Sequence, residues 1–365
     1  MMVDKQPTDG VDPAAAEGMQ GAVCPVPLQH EDQVVLGHGS GGKLTQKLIA
    51  RYFYPPFENP YLLQGDDSAV MDWPQGGRLA FSTDSHIVSP LFFPGGDIGR
   101  LAVAGTVNDL LMVGAQPLWL TAGFLLEEGL PLSVVERVAA SMRAAADEAG
   151  VQIVAGDTKV VQRGKADGLF VNTSGVGMVP EGREINGRRA QVGDAVLLSG
   201  TLGDHGIAVL AARGELDFEA QVVSDVAPLT ELVEAMHAVG ADLHVLRDPT
   251  RGGLATTLNE IAHQSQVGIE IDETSLPVNP AVEAACEMLG FDPLYVANEG
   301  KLVAIAPEAQ AEALLKAMRA TKLGHAACRI GRVTPKPAGR VLMRTGIGAR
   351  RVVDVLSGEL LPRIC

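Results

Sequence analysis

A chain of 365 residues is long enough for two domains with separate cores, and 46% hydrophobic content excludes a disordered one. A net charge of −15 argues against nucleic acid or an anionic membrane as the main partner. ATP stays open, because a local glycine loop with bound Mg²⁺ overrides a global field.

Residues 1–30 are broken by Pro7, Pro13, Pro25, Pro27, Gly10, Gly18 and Gly21, and read as a loosely attached arm. No positive start precedes an apolar run, so no signal peptide is expected, and no uninterrupted apolar stretch predicts a membrane span. An N-terminal domain is expected over 31–185. Near its start, Gly37-His38-Gly39-Ser40-Gly41-Gly42-Lys43 offers free backbone N–H groups before an amphipathic stretch. Such a loop cradles phosphate, but the match to a P-loop fails at Leu44, where a hydroxyl should meet Mg²⁺. By itself it is as good a structural turn as a phosphate site.

Buried strands are predicted over 79–83 and 151–155. Between them a helix should run from Asp97 to near Gly114, with Leu101, Ala104, Val107 and Leu111 on one face. A second helix, opened by a Ser133/Glu136 capping box, should close at Gly150. Carboxylates sit at the ends of these hydrophobic runs: Asp66 and Asp67 after Gly65, Asp84 after the first strand, Asp157 after the second. Asp109 stands beside Asn108 on an apolar helix, where a polar pair needs partners. Each acid alone is better read as a cap or turn. Together they favour a nucleotide–metal site, because Mg²⁺ takes oxygen ligands and shares them with phosphates.

The stretch 180–193 is rich in glycine and arginine and marks the expected domain boundary, with a second domain over 186–350. Val196-Leu197-Leu198 opens it, and helices are expected near 228–239, 253–264, 280–289 and 308–320. Strands and helices intersperse without regular βαβ alternation, so the fold class is α+β. Its loops hold Arg247-Asp248-Pro249-Thr250-Arg251-Gly252-Gly253 and Asn298-Glu299-Gly300-Lys301, and the first half contributes Gly156-Asp157-Thr158-Lys159. Isolated, Lys159, Lys301 and Glu299 read as surface groups. His205 has no assigned role.

The four cysteines, Cys24, Cys286, Cys328 and Cys365, are scattered and form no C-x-x-C or Cys/His pair. That fits a reducing cytoplasm. Residues 351–365 read as a mobile tail ending in Cys365. Pro362 stiffens the approach, and Arg363 supplies a charge that would favour thiolate. Two readings stand for this thiol: a swinging nucleophile that carries a covalent group, or an incidental last residue.

Thr83-Asp84, Phe93-Pro94-Gly95-Gly96-Asp97-Ile98-Gly99, Gly105-Thr106-Val107-Asn108-Asp109 and Gly156-Asp157-Thr158-Lys159 resemble the aminoimidazole ribonucleotide synthetase-like ATP-binding superfamily. Within it, HGSGGK at 38–43, RDPTRGG at 247–253, ANEGK at 297–301 and the final PRIC are similar to the carbamoyl dehydratases of nickel–iron hydrogenase maturation. The resemblance runs from about residue 34 to 365. It implies a two-domain fold that dimerises through the N-terminal sheet, with ATP beside that interface. It also implies that a HypF-like carbamoyltransferase loads Cys365, and that ATP-dependent dehydration converts the thiocarboxamide to a thiocyanate. A HypC–HypD-like iron–cyanide assembly complex then receives the cyano group.

On that resemblance, Gly39, Gly41, Gly42, Lys43, Asn108, Asp109 and Thr158 would bind ATP, and Asp66, Asp67, Asp84, Asp109 and Asp157 would hold Mg²⁺. Lys159 and Glu299 would flank the docked thiocarboxamide, with Glu299 the more natural base. A small-molecule synthetase or kinase of the same superfamily is the rival reading, and a non-catalytic ATP-gated scaffold is a third.

Overall fold

A hydrophobic cluster shared by both sheets, and a second one confined to the second sheet and its helices, organise the chain in a computed structural model that describes residues 32–35, 38, 47–59, 76–214, 222–355 and 363–365. Gly39, Gly41, Gly42, Lys43, Asp66, Asp67, Pro362 and residues 1–30 with Cys24 lie outside the described residues. Asp32–Cys365 forms one compact unit.

In the first half, β1 (Arg78–His86), β4 (Gln116–Glu127), β5 (Gln152–Val161) and β6 (Leu169–Val179) make a sheet of order β1-β6-β4-β5. Between β1 and β4, β2 (Phe92–Phe93) and β3 (Gly96–Asp97) form a small hairpin. Only β4 and β5 run parallel, as their crossover through a helix requires. Helices α1 (Ile98–Met112) and α2 (Leu132–Ala149) pack against one another, with α1 against the sheet. Asp97 caps α1 by accepting from the backbone N–H groups of Gly99 and Arg100 at 2.8 and 3.0 Å.

Several sequence expectations change here. Helix α1 is buried nearly all round rather than on one face, because it lies between the sheet and the second half of the chain. No Ser133 cap forms; Pro131 occupies the N-cap and α2 begins at Leu132, while Gly150 ends it in the expected left-handed conformation, φ 72°. The two predicted strands are longer than their apolar runs, so Asp84 and Asp157 sit inside β1 and β5 rather than after them. Backbone pairing carries a strand past its hydrophobic stretch when one face is left open.

Residues 180–194 contain neither helix nor strand and lead to the second sheet. Its strands are β7 (Ala195–Leu198), β8 (Val245–Arg247), β9 (Gly268–Asp272), β10 (Val303–Ala306), β11 (Cys328–Thr334), β12 (Arg340–Arg344) and β13 (Arg350–Val353). They are ordered β13-β12-β9-β11-β7-β10-β8. Helices α3 (Asp204–Ala212), α4 (Thr230–Ala238), α5 (Gly253–Ser265), α6 (Pro280–Leu289) and α7 (Ala311–Arg319) accompany it. β7 and β10 are buried along their whole length, which is why their sequences are continuous apolar runs. Among the described residues no helix is long and apolar enough to cross a membrane.

The two faces of the first sheet differ, and this decides where the site lies. Ser82, Asp84 and His86 point towards α1, whereas Leu79, Phe81, Thr83 and Ser85 point away from it. No described element covers that second face, and Phe81 there is 72% exposed.

Candidate active site

The site is a group of acids gathered where α1, the end of β1 and three loops of the second half meet. Ser82 Oγ donates to Asp109 Oδ2 at 2.6 Å, tying β1 to α1. One turn earlier on α1, Gly105 permits the approach: a Cβ there would lie 2.9 Å from His86 Cε1 and 3.5 Å from Asp84 Oδ2. His86 Nε2 lies 3.7 Å from Asp84 Oδ2, and burial lowers this imidazole to about 4, against the pull of Asp84. It is therefore neutral.

Glu299 is held by its backbone. Its N–H donates to Asp225 Oδ1 at 3.0 Å, and its carbonyl accepts from Asn108 Nδ2 at 3.3 Å. Asn298 next to it accepts from Gly203 N–H at 2.8 Å and donates to the Pro249 carbonyl at 2.8 Å. Glu299 Oε1 is buried with no hydrogen-bond partner among the described residues. Such an acceptor is costly in a fold and poised for chemistry. Burial first, then the charges of Asp248, Asp225 and Asp84, push Glu299 well above the usual carboxylate range. The same causes raise its neighbours: Asp109 by burial and Asp84, Asp248 to about 7 by burial and Asp109.

Cys365 faces this cluster. Its main-chain oxygen accepts from Ile87 N–H at 3.1 Å, and Ile364, nearly fully buried, bridges Val88. Burial, then the charge and hydrogen bonding of Glu299, push the thiol above its ordinary range. Arg251, 3.9 Å from Asp84 Oδ1, is the cation that opposes this. The expected role of Arg363 is thereby corrected. Its guanidinium pairs with Asp167 at 2.6 Å, away from the sulfur, and the docked thiol is protonated rather than thiolate.

Other expected site residues fall elsewhere. Asn108 does not orient phosphate: its carboxamide is buried, donating to the Ala227 and Glu299 carbonyls and accepting from Leu229 N–H. It fastens α1 to the second half of the chain. Asp157, Thr158 and Lys159 lie on β5, at the far edge of the sheet. Asp157 shares a row with Gly123, Asn172 and Ser85 on the open face, and pairs with Lys159 at 2.6 Å. Asp84 points the opposite way. Three strand spacings, about 14 Å, separate Lys159 from the β1 edge. One chain therefore does not bring Lys159 beside Glu299, nor Asp157 beside Asp84. Alternation on a strand set this, and it was legible only once the register was known.

Lys301, which reads as a surface amine in the sequence, is instead enclosed 3.3 Å from Asp225 Oδ2 and 4.0 Å from Asp204 Oδ2. Among the described residues no three His, Cys, Asp or Glu side chains converge as a metal cage. His38 is buried, its Nδ1 accepting from Val35 N–H at 3.0 Å, while Val34 pairs with Leu130 beyond β4. His38 thus lies at the same end of the sheet that carries Asp84 and Cys365.

Gly300 makes the loop fit, since a Cβ there would lie 1.8 Å from the Asp225 carbonyl oxygen. Gly300→Ala should lower unfolding free energy by about 2–3 kcal/mol, checked by urea titration, because backbone has to move. An unchanged midpoint would contradict this packing.

Models of the AIR synthase related protein match the chain in both halves, the N-terminal domain over 65–179 and the C-terminal domain over 191–344. Carbamoyl dehydratase HypE of Cupriavidus necator is 57% identical over 333 residues, covering 91% of this chain and 95% of that protein. A crystal structure of hydrogenase maturation protein HypE in complex with ATP superposes with TM-score 0.87 at 52% identity, over 91% of this chain and 99% of that one. The crystal structure of a HypE–HypF complex superposes with TM-score 0.74 at 47% identity, over 86% and 100% of the two chains.

Proposed function

The chain belongs to the AIR synthase related family and, within it, to the carbamoyl dehydratases HypE; from that premise we propose that it dehydrates a carbamoyl group carried on Cys365, using ATP. The observation that carries the reading is the seating of Cys365 against Glu299, a buried carboxyl with an unpartnered oxygen. A diffusible-substrate synthetase or kinase has no use for that arrangement, and neither has a passive scaffold.

The chemistry follows from what an amide lacks. Its oxygen leaves badly as hydroxide, so the thiocarboxamide oxygen attacks the γ-phosphorus of ATP, forming an O–P bond and releasing ADP. The nitrogen loses one proton to a base. As the C–O bond breaks and phosphate departs, the second proton leaves and the C≡N bond forms. One proton ends on phosphate and one in solution, so the oxygen of the carbamoyl group is accounted for in phosphate.

Glu299 is the base in this scheme, its Oε1 free to accept the amide proton. Arg251 opposes the rise in the Glu299 pKa, but burial and the neighbouring acids outweigh it, so the base form fills only as pH rises. Lys43 and the glycines at 39, 41 and 42 would take the phosphates, and Asp84 and Asp109, with Asp66 and Asp67, would hold Mg²⁺. The donor set fits a hard cation, since Asp84 raises Asp109 and each repulsion would be relieved by positive charge. Bound there, Mg²⁺ would neutralise the transferring phosphoryl group.

Loading needs the thiolate, which the docked position disfavours. Carbamoylation therefore belongs to a HypF-like transferase acting on the undocked tail, in a reducing cytoplasm. A HypC–HypD-like complex would then take the cyano group. The open sheet face, with Leu79 at 53% and Phe81 at 72% exposure, is where a second copy would dock. Lys159 of β5 belongs to that face, so it would reach a thiocarboxamide only across the dimer.

Intact-mass analysis tests the central step. After incubation with the transferase and its carbamoyl donor, the Cys365 peptide should gain a carbamoyl group, and Mg²⁺-ATP should then remove one water. No mass change on Cys365 would overturn the proposal. Dehydration should accelerate with rising pH, since the base form of Glu299 fills only above its raised pKa. Glu299→Gln should flatten that limb and slow the step by at least about 100-fold. An unaltered pH profile would remove Glu299 from the role. Phe81→Asp should shift light-scattering mass from dimer to monomer; a dimer that persists would place the interface elsewhere.

A further inference from the structure

His205 is fully buried on α3 and takes no part in the chemistry above. Its Nε2 lies 2.7 Å from the carbonyl oxygen of Ile364, and its Nδ1 lies 2.8 Å from Ser224 Oγ. A carbonyl only accepts, so Nε2 carries the proton. Burial lowers the imidazole pKa, so the ring is neutral and Nδ1 holds a lone pair. Ser224 must then donate to Nδ1, while its oxygen accepts from Val226 N–H at 3.1 Å. One proton arrangement satisfies all three groups, and it aims a single donor at the tail.

The other tail carbonyls are engaged too. Arg213, at the end of α3, donates from Nη2 to the Arg363 carbonyl at 2.6 Å and from Nε to the Ser89 carbonyl at 2.7 Å. Ser89 N–H reaches the same Arg363 carbonyl at 3.2 Å, and Ile87 N–H reaches the main-chain oxygen of Cys365 at 3.1 Å. Arg363 itself adopts φ 53°, a left-handed conformation that a non-glycine residue keeps only where its surroundings enforce it. The Ile364 side chain is 4% exposed, and Phe93 lies edge-on to the His205 ring at 5.4 Å.

We propose that His205, oriented by Ser224, and Arg213 form a clasp that grips the backbone carbonyls of residues 363 and 364 and so positions Cys365 against Glu299. These are positioning residues for the dehydration step, and the proposal rests on the reading of Cys365 as carrier. The clasp bonds main chain and not the sulfur, so it accepts the tail whatever the thiol carries. Loading demands an open clasp and dehydration a closed one. Loss of the clasp therefore separates two steps that loss of a catalytic group would not.

The test uses full-length His205→Ala, Arg213→Ala and His205→Gln, the last keeping a donor near the Nε2 position. Maleimide labelling of Cys365 is followed by peptide mass, with buried Cys286 as an internal control for unfolding. Both alanine variants should label at Cys365 at least about tenfold faster than the parent, a factor in keeping with one lost buried hydrogen bond, with Cys286 still protected. Carbamoylation by the transferase should be no slower than in the parent, dehydration of the loaded tail should slow by about tenfold or more, and His205→Gln should recover much of the labelling and dehydration effects. The clasp is overturned if Cys365 labels no faster in either alanine variant. It is equally overturned if dehydration slows while Cys365 stays protected, or if Cys286 becomes exposed in all three. Should the parent itself show no carbamoylation, the dehydratase reading fails, while the labelling comparison still decides the clasp.

Discussion

The rest of the molecule is arranged around one electrostatic constraint, the confinement of several carboxylates in a largely buried space. Asp84, Asp225 and Asp248 each raise Glu299, and Glu299 in turn raises Cys365. Like charges at such spacing cannot all ionise, so the cluster stores protons near neutral pH. Burying an unpartnered carboxyl is expensive, and the fold sustains it by fixing the backbone around it. Asn108, Asn298 and Asp225 supply that framework, each bonding main-chain groups of the 297–301 loop or of its neighbours. Lys301 and Arg251 offset part of the charge without cancelling it.

The thiol gains its properties from the same confinement. Docked, Cys365 is protonated and shielded, which protects it from oxidation but makes it a poor nucleophile. A group already attached to sulfur meets no such penalty, since it needs positioning rather than ionisation. The pocket is therefore suited to transforming a bound group and unsuited to acquiring one. A division of labour between loading and dehydration follows from electrostatics alone.

The N-terminal sheet serves two environments because adjacent residues on a strand point oppositely. Asp84 and His86 look into the acid cluster; Thr83 and Ser85 look out on the uncovered face. Asp157 and Lys159 share the outward parity, which puts them out of reach of Glu299 within one chain. The sequence grouped Asp84 with Asp157 because each follows an apolar run, and paired Lys159 with Glu299 on the family resemblance. Position in sequence carries no parity until register is set, and register depends on long-range pairing. His205 was unreadable for a similar reason: its partner lies 159 residues away, and a histidine beside a glycine carries no local signal of that contact.

Local chemistry in the sequence was enough to determine the mixed α and β content, the limits of most helices, the cap at Gly150 and, through its motifs, the family. Hydrophobic period, turn residues and compact motifs are short-range signals, and they survive without coordinates. Tertiary structure alone decided that Asn108 is a fastener, that Lys301 is enclosed, that Arg363 turns away from sulfur, and that Lys159 and Glu299 occupy separate sides of a sheet. Each of these depends on burial or on which groups meet across the chain, and both are properties of the folded whole.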